Sequence, residues 1–251
     1  LNAEGGIDGV PVELIYEDGV CSGSEAVAAV TKLINFDKVE VIVGGACSGE
    51  TLAAAPVAEE AEVVMMSPCS TSPKVSEAGD YIFRSVPSDN FAGKFGAEYA
   101  YNELGARKVA ILHTIGDWGQ GLADVFNARF EELGGEVVVF ESFEEASKDM
   151  RTQLIKIQEA EPDLLYMPSY NEGASTILKQ MVEIDLDIPT LNGDAGMDVT
   201  IVELAGDAAE GAMATAYEDG LTEEFTAKYE AAFPNAGITL CTTHGYDAAT
   251  A

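Results

Sequence analysis

Two spacings of apolar residues alternate along the chain. Short β-branched runs such as "VEVIVGG" (39–45), "EVVMMS" (62–67), "RKVAILH" (107–113), "EVVVFE" (136–141), "PDLLYM" (162–167) and "IPTLNG" (188–193) predict strands. Between them, apolar positions recur at helical spacing in "SGSEAVAAVTKLINF" (22–36), "GETLAAAPVAEEA" (49–61), "NFAGKFGAEYAYNELG" (90–105), "WGQGLADVFNARFEELG" (118–134), "MRTQLIKIQEA" (150–160) and "NEGASTILKQMVEI" (171–184). "VPVELIYED" predicts a further strand over 11–17, and the last third adds a short helix near 198–205, "GAMATAY", and a helix "TEEFTAKYEAAF". Ser22 and Glu25 have the spacing of a capping box, and Pro56 is expected to delay or kink its helix.

Regular strand-helix alternation implies an α/β fold with mainly parallel sheets and helices on both faces. The irregular passage 67–89 is too long for a crossover within one sheet and marks a lobe boundary. The opening "LNAEGGIDGVPVELIYED" reads as a helix end, a turn and a strand, and "LCTTHGYDAATA" stops within a helical pattern. The sequence is therefore expected to be an internal fragment.

Composition narrows the function. The 251 residues are 47% hydrophobic, enough for a substantial core, and no apolar run approaches the roughly 20 residues of a membrane span. Against 44 acidic residues stand 13 basic ones, a net charge of -31, which repels a nucleic-acid backbone. Scattered as they are, the acids form a solvated surface and suggest adaptation to high salt. Folding stability measured by chemical denaturation is then expected to rise between low and molar salt; a flat response contradicts the adaptation.

Chemistry is concentrated in "VGGACSGETLAAAP" (43–56). Gly44 and Gly49 match the glycines of a P-loop, but Glu50 replaces the lysine that phosphate requires. A strand, glycines and a helix N-terminus still suit a smaller anion, with the Ser48 hydroxyl and nearby N–H groups as donors to a carboxylate. Ser70 and Thr71, in "SPCSTSP" after the next strand, offer a similar cradle. "GACSG" also fits a nucleophile elbow with Cys47 as nucleophile, Asp194 as the acid, and His113 or His244 as base. That hydrolase reading weakens if Cys21 leaves the same sheet edge as Cys47, since the two could then form a disulfide. His113, at the end of its strand, reads as a capping or loop residue.

"NAEGGIDGVPVELIYEDGVCSGSEAV", "VIVGGACSGETLAAAPVAEEAEVVMMSPCSTSPKV", "FRSVPSDNFAG", "ILHTIGDWGQGLADVF" and "ELAGDAAEGAMAT" together resemble the leucine/isoleucine/valine-binding protein family, the type I periplasmic binding proteins of ABC importers. The resemblance covers nearly the whole chain. It implies two Rossmann-like lobes joined by hinge strands, with the ligand in the interlobe cleft. Residues 1–89 and 218–251 would form an incomplete lobe one, lacking its first strand and helix, and 90–217 lobe two. The implied carboxylate cradle is Ala46, Cys47 and Ser48 with Cys69, Ser70 and Thr71. Asp194, where the family often has Glu, and Tyr170 would hold the ammonium group, and Trp118 stands where the family often places a cleft-facing tyrosine.

The same resemblance implies a Cys21–Cys47 disulfide and an oxidising compartment. Cys69 and Cys241 depart from the family's pattern, as a second disulfide beside the ligand or as two separate buried thiols. It further implies binding of a branched-chain or other neutral amino acid by a monomer, without cofactor, metal or catalysis. The partner would be a membrane permease, and the location extracytoplasmic, in a periplasm or on a cell-surface lipoprotein. A sensory domain for amides or amino acids shares the fold and stays an alternative.

Overall fold

The computed structural model describes residues 2–218 and 220–251. Two parallel sheets carry the fold. The first holds β1 (Val41–Val43), β2 (Val64–Ser67) and β3 (Ile82–Arg84), in that order. The second has the order β5-β4-β6-β7-β8, from β4 (Lys108–Thr114), β5 (Glu136–Phe143), β6 (Leu164–Tyr166), β7 (Thr190–Asn192) and β8 (Met213–Ala214). No described helix is long and apolar enough to cross a membrane.

The second sheet shows why its strands read as continuous apolar runs. Side chains alternate across a strand, so a sheet covered on both faces needs apolar residues at every position. Val109 and Ile111 of β4, with Leu164, Tyr166 and Leu191, face α3 (Asp89–Glu98) and α4 (Asp117–Glu132). Ala110 and Leu112, with Leu165 and Met167, face α5 (Arg151–Glu159), α6 (Asn171–Glu183) and α7 (Val199–Ala205). Phe126 stacks on Tyr166 with ring centroids 3.8 Å apart, which fixes α4 over the sheet centre.

The first sheet is smaller. Ile42, Met65 and Ile82 pack beneath α1 (Gly23–Lys32) and α2 (Ser48–Glu60), while Val41, Val43 and Phe83 on the other face stay partly exposed. Further along the chain, α8 (Glu223–Ala232) is followed by α9 (Thr242–Thr250), which lies against β1 and β2.

Several expectations are corrected. Residues 11–17 form no strand: a strand needs a ladder partner, and among the described residues none pairs with them, leaving Leu14 and Tyr16 exposed. Ser22 is the N-cap of α1 without closing a capping box, because its hydroxyl lies 3.0 Å from that of Ser24. The α-helix ends at Lys32, and one π turn carries the chain to Asp37. Pro56 does not delay its helix, which begins at Ser48 and runs through the proline. The passage 67–89, expected to be irregular, contains β3.

Candidate functional site

The first loop's anion is its own. Glu50, on the first turn of α2, turns back so that its carboxylate accepts the backbone N–H groups of Ala46 and Cys47 (both 2.9 Å) and of Cys21 (2.9 Å). An acid where a P-loop has lysine therefore satisfies the orphan donors that a phosphate would take. The N–H groups of Ala46 and Cys47, expected in the carboxylate cradle, are thus engaged by Glu50. Cys47 is also bonded to Cys21, so it offers no thiolate, and the hydrolase reading loses its nucleophile. His113 is no loop residue: it is buried within β4, its Nδ1 lies 2.9 Å from the Thr114 carbonyl, and burial lowers its pKa.

The second loop is knitted to the first. Ser67 Oγ donates to the Gly45 carbonyl (2.7 Å) and accepts the Ser70 N–H (2.9 Å), and Ser70 Oγ lies 2.7 Å from Thr51 Oγ1. Ser70 thus holds the two loops together through its hydroxyl. The Arg84 guanidinium, at the end of β3, donates to the carbonyls of Thr71 (3.0 Å) and Ser72 (2.8 Å) and fixes the loop from behind. Cys69 contributes a disulfide to Cys241. Three hydroxyls remain for a ligand. Ser48 Oγ accepts the Ser72 N–H (3.2 Å) and keeps its own proton, while buried Thr71 Oγ1 and Ser72 Oγ have no hydrogen-bond partner.

Opposite stand the ends of β6 and β7. Asn192 ties them together: its amide accepts the N–H of Ser169 (3.1 Å) and of Gly193 (2.8 Å) and donates to the Ser169 carbonyl (3.1 Å). Tyr170 follows Ser169 as the N-cap of α6, whose first turn is satisfied by Glu145 Oε1 accepting the Gly173 N–H at 2.7 Å. Gly193 leads into Asp194, and a β-carbon on it would stand 2.5 Å from the Leu122 side chain of α4, which would have to shift. Trp118, on α4, stacks on Tyr170 with centroids 4.5 Å apart. Trp118, Tyr170 and Asp194 are therefore one cluster.

The cluster is acidic and buried. Burial raises the Asp194 pKa to about 6, held back by backbone N–H groups and by the Trp118 side chain. A second buried acid, Asp89, begins α3, and its pKa rises to about 8, first through burial and then through the charge of Asp194. The Tyr217 hydroxyl lies 3.4 Å from Asp89 Oδ1. Burial also raises the pKa values of Tyr166, Tyr170 and Tyr217. Asp89 Oδ2, Asp194 Oδ1, Tyr166 OH and Thr215 Oγ1 are buried without a hydrogen-bond partner. Such orphaned groups are costly unless something completes them.

The sequence reading did not single out Asp89. In "VPSDNFAG" it follows a good N-cap residue, Ser88, and so reads as an ordinary first-turn acid. Only the packing of Tyr217 and Asp194 around it reveals the difference. The two halves of the site are close: the Lys74 ammonium lies 2.7 Å from Asp117 at the start of α4, and a β-carbon on Gly121 would stand 3.1 Å from Pro73.

Comparison with known proteins places this geometry in context. A family model described as periplasmic binding protein matches residues 1–251. The chain is similar to an amino acid binding protein of Pseudomonas aeruginosa, 32% identical over 82% of this chain and 55% of the relative. It therefore spans about half of that relative's length. Among solved structures, a leucine-binding protein from Thermotoga maritima is 30% identical with a TM-score of 0.91, over 99% of this chain and 73% of that one. A branched-chain amino acid transporter substrate-binding protein from Streptococcus pneumoniae, in complex with isoleucine, is 28% identical with a TM-score of 0.84 over the same shares.

Proposed function

From the premise that this chain belongs to the periplasmic binding protein family, we propose that it is the ligand-recognising part of an extracytoplasmic amino-acid receptor that delivers its cargo to the membrane permease of an ABC importer. Lobe one comprises 1–89 and 218–251, and lobe two 90–217. The observation that carries the proposal is the chemical polarity of the site. Donor hydroxyls of Ser48, Thr71 and Ser72 stand on one side, and the buried carboxylate of Asp194 with the rings of Tyr170 and Trp118 on the other. An α-amino acid zwitterion matches both ends: its carboxylate accepts from the hydroxyls and its ammonium donates to Asp194.

Charge-assisted hydrogen bonds of this kind contribute about 1.5–3 kcal/mol each. Both ends are satisfied only when the lobes meet, so binding shifts an open-closed equilibrium toward closure, the form a permease would recognise. A neutral, branched-chain side chain is the class that the similarity to leucine- and isoleucine-binding proteins supports. No covalent step is required.

Trp118 supplies the readout, as the chain's single tryptophan and a member of the cluster. Protein freed of ligand by unfolding and refolding is expected to change its tryptophan emission saturably on titration with leucine, isoleucine or valine. Emission unmoved by any common amino acid, with calorimetry equally silent, contradicts the proposal.

A further inference from the structure

We propose that Asp89 and Asp194 act as one acidic receptor, which holds a proton while the cleft is empty and releases it to solvent when the ligand's ammonium group enters. The inference rests on the amino-acid reading and adds to it a second contact residue and a proton. It stands first on geometry. The two acids come from different elements, Asp89 at the start of α3 and Asp194 after β7, yet each is buried and each keeps one carboxylate oxygen without a partner. Tyr166 OH and Thr215 Oγ1 are likewise buried and unpartnered. Two carboxyl groups with one open oxygen each and two spare hydroxyls describe a socket for a cation that also donates hydrogen bonds.

The surroundings of Asp89 pull its proton both ways, with burial and the Asp194 charge outweighing the rest. Its own ionisation is opposed by burial and by Asp194, while Tyr217 at 3.4 Å assists only as a neutral donor. Tyr166 from β6 and Tyr170 at the start of α6 both feel the Asp89 charge, and both are neutral. Arg84 attracts it from β3, but its N–H groups point at the carbonyls of Thr71 and Ser72. The pair therefore titrates as a unit, with one proton retained near neutral pH. On binding, the carboxyl O–H bond breaks, the electron pair stays on oxygen, the proton passes to buffer, and the ammonium takes its place. No oxidation or reduction is involved.

Two readouts test this. Infrared spectroscopy of the empty protein near neutral pH is expected to show the carbonyl stretch of a protonated carboxylic acid, absent from Asp89→Asn and lost on adding leucine. Calorimetric titration with leucine in phosphate and in Tris is expected to give different heats, corresponding to release of roughly one proton, with the difference abolished in Asp89→Asn. Affinity should rise about tenfold per pH unit until the upper titration near 8 is passed. Absence of the acid band, or equal heats in both buffers with binding intact, overturns the proposal. Leucine without heat in either buffer contradicts the amino-acid reading itself and takes the displacement step with it, whereas the infrared band is judged independently.

Discussion

Asp194→Asn is expected to weaken amino-acid binding by at least about 100-fold, near 3 kcal/mol, while leaving the empty protein as stable as the parent or more so. The loss follows from replacing a charged acceptor with a neutral amide in a buried site, where an ammonium without its counter-charge carries a full desolvation cost. The stability effect has the opposite sign. Folding raises the Asp194 pKa from 3.8 to about 6, so the folded protein binds that proton more tightly than the unfolded chain does. The group is neutral in its effect below the unfolded value. Its penalty grows as pH rises through about 6 and is complete above it.

Removing the charge therefore relieves the empty protein at neutral pH by about 1–3 kcal/mol, less whatever the buried amide costs in its turn. A residue that serves packing would lose stability and binding together. Equilibrium denaturation set beside a leucine titration separates the two cases, and a variant that binds leucine as well as the parent removes Asp194 from the site.

Glu50→Ala has its largest effect on stability, a loss of about 3 kcal/mol or near 10 °C in Tm. Three backbone N–H groups, from Cys21, Ala46 and Cys47, lose a charged acceptor at once. The cavity left behind adds to the cost, since Glu50 is buried. Glu50→Gln keeps one acceptor oxygen but turns an N–H₂ toward donors, and is expected to lose about half as much. Ligand affinity should fall too, because Ser48 is placed by the same turn. Denaturant unfolding of both variants reads the order of stability. A Glu50→Ala protein as stable as the parent would show that the loop needs no internal anion.

These two residues also mark what the sequence revealed and what it concealed. The positions of Asp194, Tyr170 and Trp118 at strand ends and helix starts were legible from periodicity, but the roles expected of them came from the family resemblance alone. Apolar strands such as "VAILH" were equally legible, since burial on two faces leaves few polar positions. The donors of the first loop were not. Which N–H groups stay free depends on whether a nearby carboxylate turns back onto them, and the spacing that resembles a P-loop does not reveal that. Ser70 meets the same limit, because nothing in the sequence of the turn shows that its hydroxyl meets Thr51.

β3 was hidden by the glycines, serines and prolines around "YIFR", and its three residues are too few for periodicity to register. Residues 11–17 erred in the opposite direction. Their alternation suits a strand, but strandhood is a property of a pair, and local pattern carries no information about the neighbour. Asp89 needed the most tertiary knowledge, because its neighbours Thr71, Arg84, Asp194 and Tyr217 come from four separate segments of the chain.

A crystal structure of the protein grown with leucine tests the central claim most directly. The account predicts density for one amino acid between the two sheets, its carboxylate within hydrogen-bond reach of the Ser48, Thr71 and Ser72 hydroxyls and its ammonium on Asp194. Leucine bound in the reverse orientation, or bound elsewhere with Asp194 left bare, would contradict it.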